Sequence, residues 1–123
     1  LIRPFQLIYK YEAYERVLQQ LPKSVRRKVL EEVNFIVIDK DLRGHPFSMT
    51  LFSREKQLIL SFIILNFGAM ENMTKKGVMS TIAHEIAHHV LGHHSFTGNH
   101  DAEKKAGDLC EKWGFDRVWG YNG

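Results

Sequence analysis

The chain lacks a second cysteine. Cys110 is alone, which excludes an internal disulfide and fits a reducing compartment. A long apolar run is also missing: the longest, 58–65, is broken by Ser61 and falls well short of the ~20 residues a membrane helix needs. The residues LIRPFQLIYKY lack the basic, then apolar, then small order of a signal peptide. No repeat, low-complexity tract or Pro/Gly-rich linker divides the 123 residues, a length that suits one core. The excess of positive charge is small, +3, and falls in short clusters at 23–28, 75–76 and 104–105 with no aromatic-basic stripe. Solvated helix faces account for such clusters, so no nucleic-acid partner is expected. Together these absences lead to the expectation of a soluble, cytoplasmic, single-domain protein (1–123) without membrane association.

The elements follow from periodicity. Apolar or aromatic residues at 11, 14, 17, 18 and 21 have helical spacing, and Val25, Val29, Leu30 and Val33 continue it beyond Pro22. The β-branched run 35–38 predicts a strand, and 47–52 and 57–62 predict two more, joined as a hairpin across 53–56. Residues 66–73 fit no single pattern. Thr74 is placed to cap a helix reaching Leu91, with Gly92 as its stop, and a second helix runs from Asp101 to Trp113 before Gly114. N-terminal helices (1–32), a small mixed sheet (33–65) and two C-terminal helices (74–113) make an α+β domain.

The chemistry concentrates on the first of those C-terminal helices, where His84-Glu85-Ile86-Ala87-His88 spells HExxH. Residues four apart share a helix face, so two imidazoles can grip one metal ion, and the intervening glutamate can act as general base on its water. At 100° per residue, Met79, Ile82, Ala83, Ile86, Ala87, Val90 and Leu91 fill one continuous half of the helix. His84 and His88 fall just past its edge, with Glu85 further round on the same side. The helix is therefore expected to pack on a core while its histidines face a cleft margin. The bland alternative is a histidine-rich helix that binds nickel or copper adventitiously, since six of the seven histidines lie between 84 and 100.

A catalytic zinc takes three protein ligands. His89, His93, His94, His100, Asp101, Glu103 and Asp108 are near enough in sequence to supply the third. His89 points about a quarter turn from His88. His94 matches the last position of HExxHxxGxxH, but the glycine falls at 92 with Leu91 in its place. On the second helix, Ala102, Ala106, Leu109, Cys110 and Trp113 form an apolar stripe, and Glu103 alone among the carboxylates sits at its margin. A carboxylate aimed at a core is costly unless paired or bound to a metal. Glu103 is the preferred third ligand, with His94 next. A first-turn glutamate that favours the helix N-terminus is the reading that needs no metal.

With HEIAHHVLGHH followed by DAEKKAGDLCEKWGF, the chain resembles a minimal gluzincin, a zinc peptidase of the HExxH-plus-glutamate type, and most nearly the ImmA/IrrE-type family. Glu103-Lys104-Lys105-Ala106 matches that family's Glu-x-x-Ala. The resemblance spans roughly residues 33–115, though its specific motifs occupy only 84–88 and 103–106. It implies a zincin-like fold, one zinc ion per chain held by His84, His88 and Glu103, and Glu85 as the general base. It also implies a sheet edge above the metal helix, which the hairpin 47–62 would supply for a protein or peptide substrate. The family usually has Asp or Asn after the alanine; here the residue is Gly107, with Asp108 turned away, and residues 1–32 have no assignable counterpart.

The expected activity is metal-assisted peptide-bond hydrolysis, with His94, His100 and Tyr121 as candidate oxyanion donors and His45 as a surface histidine. The alternative is a zinc-bound sensing or interaction module with little or no hydrolysis. Cys110 is expected to be a packed core thiol.

Overall fold

The computed structural model describes residues 4–39, 48–56, 58–93 and 100–117. Phe47, Gln57, His45, His94 and Tyr121 lie outside the described residues. The described residues are mixed α+β, with four helices and one three-stranded sheet. The order is α1 (Pro4–Gln20), α2 (Lys23–Glu32), β1 (Asn34–Ile38), β2 (Ser48–Glu55), β3 (Leu58–Asn66), α3 (Lys75–Leu91) and α4 (His100–Lys112). No described helix is long and apolar enough to cross a membrane.

The sheet runs β1-β3-β2, with β3 parallel to β1 and antiparallel to β2, which leaves β2 as an edge among the described strands. Two spans differ from the sequence expectation. β3 continues past Phe62 to Asn66, because its second half pairs with both β1 and β2, and Ile63, Ile64 and Leu65 there read as an apolar run rather than an alternation. β2 runs through Ser53, Arg54 and Glu55, which were expected in the hairpin loop; these exposed residues pair with Leu60, Ile59 and Leu58, and the turn falls at Lys56, at φ 54°. One face of the sheet meets the helices. The opposite face exposes Ile36, Met49, Leu58 and Leu60.

α1 begins seven residues before the first periodic apolar position, with Pro4 in the first turn, where its missing N–H costs nothing. Ala13, Val17 and Leu21 bury one stripe of α1 and its C-terminal flank beneath α3. Arg26 departs from the expected solvated cluster: its guanidinium donates to the carbonyls of Leu18, Gln19 and Leu21 and so satisfies the end of α1. Lys28, from the same cluster, pairs with Glu32 at 3.1 Å.

α3 is the central element, packed by α1, α4, β2 and β3. Thr74 caps it, its hydroxyl accepting from the Gly77 amide at 3.1 Å. Gly92 ends it in a left-handed conformation (φ 69°). The amides of Gly92 and His93 then donate back to the carbonyls of His89 and His88, the Schellman pattern. The polar side of this helix is more covered than its projection indicates, although His88 stays partly exposed. His84, Glu85 and His89 are buried along with Ile82, Ala83, Ile86 and Ala87, whereas Leu91, counted with the apolar half, is exposed. A helix covered by neighbours on several sides buries its polar residues too, and each of them then needs a partner.

Candidate metal centre

α3 and α4 pack side by side, and their facing stripes position the ligands. On α4, Ala102, Ala106 and Cys110 are buried against the core. Glu103 sits beside that stripe and reaches across to α3. The Glu103 Oε2 atom lies 2.7 Å from His84 Nε2, and Oε1 lies 3.3 Å from His88 Nε2. The two imidazole Nε2 atoms are 3.2 Å apart, with their rings edge to face. Thus one atom from each of His84, His88 and Glu103 falls within 4.8 Å of the others, and the group could hold a metal ion.

The spacing itself tests the fit. Ligand atoms about 2.0–2.2 Å from a tetrahedral ion lie roughly 3.3–3.6 Å from one another. The His84–His88 and His88–Glu103 separations of 3.2 and 3.3 Å are close to that. The 2.7 Å His84–Glu103 contact is a hydrogen-bond length, shorter than an ion would set. Two imidazoles and one carboxylate are the donor set of a His₂Glu zinc site. Burial alone would raise the Glu103 carboxyl, but the bonds from His84 and His88, and the charge of those rings, outweigh it and bring it down to about 2. It is an anion over the whole physiological range.

The other histidines divide cleanly. His93, turned back by Gly92, places its Nδ1 2.8 Å from His88 Nδ1, on the far side of that ring from Glu103. Burial, and then the neighbouring His88, hold His93 below the ordinary histidine value and keep it neutral, able to accept. Such an outer partner fixes the tautomer and orientation of a ligand histidine. His89 faces away into the core: Nδ1 meets Ser61 Oγ at 2.7 Å, Nε2 meets Glu32 Oε1 at 3.0 Å, and Phe52 stands edge-on to the ring. Both of its nitrogens are used. His100 opens α4 and is exposed, and Asp101 and Asp108 pair on the surface with Lys105 and Lys104.

Glu85 is buried next to His84 but is not a member of the three-ligand group. Its carboxylate accepts from two hydroxyls on β2, Ser48 Oγ at 2.7 Å to Oε2 and Thr50 Oγ1 at 2.6 Å to Oε1. Sequence reading missed both hydroxyls. The available signal was the alternation of Ser48, Thr50 and Phe52, which puts all three on one strand face.

At Gly107, an added Cβ would collide with the Arg117 guanidinium, which lies against that glycine and pairs with Asp108 and Glu111. An arginine thus takes the space a side chain at 107 would need. Cys110 is a buried thiol pushed up to about 12, first by burial and then by the charge of Glu85, in keeping with a packing role. Comparisons with protein-family models, curated proteins and solved structures match nothing.

Proposed function

We propose that this chain is a zinc-dependent metallopeptidase of the gluzincin type with a zincin-like fold, similar to the ImmA/IrrE-type family. The convergence of His84, His88 and Glu103, three donor atoms from two helices within 4.8 Å, carries the reading. His84, His88 and Glu103 would hold the zinc ion, which would supply Lewis acidity to the scissile carbonyl and to a water whose pKa would fall to about 7. Glu85 takes a proton from the attacking water and returns it to the amine nitrogen as the C–N bond breaks. His93 holds the His88 ring, and Glu103 contributes the negative charge that two neutral imidazoles lack. A peptide would lie antiparallel or parallel along the outer side of β2, the edge among the described strands, where backbone pairing is largely indifferent to sequence.

One observation favours a second reading, a zinc-bound sensing or interaction module: both oxygens of Glu85 are already bonded to β2. Glu85→Gln separates the two. The peptidase reading expects zinc to be kept and cleavage of labelled, unfolded casein to be lost. Zinc retention in a parent that cleaves neither casein nor a random peptide pool supports the module instead.

A further inference from the structure

We infer that Ser48 and Thr50 are positioning residues for Glu85, so that the strand offered to substrate also aims the base. The inference rests on the peptidase reading. Residues 48 and 50 alternate on β2, so their side chains leave the same face of the sheet, towards α3. Each takes one oxygen of the same carboxylate, at 2.7 and 2.6 Å. Thr50 also lies 3.0 Å from the Glu85 carbonyl; its single proton favours the nearer, charged oxygen. With both oxygens held, rotation of the carboxylate about its last bond is blocked.

Being held does not silence the base. A carboxylate has about four lone-pair sites, and two hydroxyl donors leave the others free to receive a proton from water. The arrangement therefore fixes where Glu85 points without consuming its capacity. It also couples two functions that a loop could not: β2 is the sheet edge, and a peptide paired to it is placed in register with the residues that orient the base.

Buried hydroxyls could instead serve only to satisfy a buried acid, and a double-mutant cycle tells these apart. The probe is acetohydroxamate, which chelates zinc through its oxygens and passes its proton to an adjacent carboxylate. Its affinity is measured by calorimetry on zinc-loaded protein of known stoichiometry. Ser48→Ala and Thr50→Val should each keep the zinc and weaken acetohydroxamate on the order of tenfold, the scale of one hydrogen bond to a charged group. Neither should weaken it further in a Glu85→Gln background, and Thr50→Ser should bind as the parent does. The two substitutions act on separate oxygens, so a folding defect in one leaves the other to decide. Unchanged affinity in Ser48→Ala and Thr50→Val, beside a clear loss in Glu85→Gln, overturns the inference alone. Equal losses with and without Glu85 also overturn it, since the hydroxyls would then be acting on the fold. A parent that holds no zinc, or a Glu85→Gln protein that binds acetohydroxamate as tightly as the parent, removes the peptidase reading itself.

Discussion

His88 and His89 are neighbours on α3, and they belong to two polar clusters built on different plans. The cluster around His88 converges: His84 Nε2, His88 Nε2 and a Glu103 oxygen crowd towards one point, with separations of 2.7 to 3.3 Å. The cluster around His89 is a line, Ser61 to His89 to Glu32 to Lys28, in which each contact uses a different atom or lone pair. Convergence brings lone pairs together, which is unfavourable unless a proton or a cation sits among them. A line pairs each donor with an acceptor and leaves nothing over. Histidine content alone does not mark a metal site; the direction of the remaining lone pairs does.

Removing the carboxylate that stands beside the convergent cluster should have the larger functional effect. Glu85→Gln is expected to retain zinc and to lower hydrolysis by a factor of about 10²–10⁴, the usual contribution of a positioned general base. Steady-state cleavage of labelled casein, with zinc determined on the same samples, checks both halves. Breaking the linear side should cost stability and leave the metal. His89→Ala strands Ser61, leaves Glu32 with Lys28 alone and opens a hole against Phe52, a loss of about 3 kcal/mol in urea denaturation with zinc content unchanged. Loss of zinc in His89→Ala at full folding would erase the distinction between the clusters.

Two smaller effects sharpen it. His93→Ala removes the outer partner of His88 and should weaken zinc affinity roughly tenfold in competition with a chromogenic chelator. The pH dependence of the metal-free protein tests the burial of His89. Its pKa is lowered from 6.5, by burial first and against the pull of Glu32, so below pH 6.5 the unfolded chain binds more protons than the folded one. His93 shifts in the same direction. Stability is therefore complete above pH 6.5 and declines as pH falls below it, and His89→Gln should flatten that decline. A further loss begins below pH 4.5, where Glu103, brought down to about 2, is protonated in the unfolded chain but not in the folded one.

Much of α3 was legible because its punctuation is local. Thr74 as cap and Gly92 as stop need only the residues beside them, and both are found where the sequence places them. Glu103 was legible because its helix offers one carboxylate at the edge of an apolar stripe. Burial of the polar side of α3 was not, since a helical projection shows where side chains leave the axis and not what covers them. The hydroxyl pair on Glu85 depends on contacts 37 and 35 residues apart in sequence, between a strand and a helix. The same holds for Ser61 and Glu32 around His89, which meet it across 28 and 57 residues. Local pattern picked out the three residues that come together; the contacts around Glu85 and His89 come from the packing of α3 against the sheet and α2, which no local pattern carries.

The most direct test of a His84/His88/Glu103 centre is zinc stoichiometry by elemental analysis on tag-free protein, dialysed against a weak chelator, in parallel with Glu103→Ala. The account predicts about one zinc per chain in the parent and none in the variant. A parent that retains no zinc, or a variant that retains as much as the parent, would contradict it.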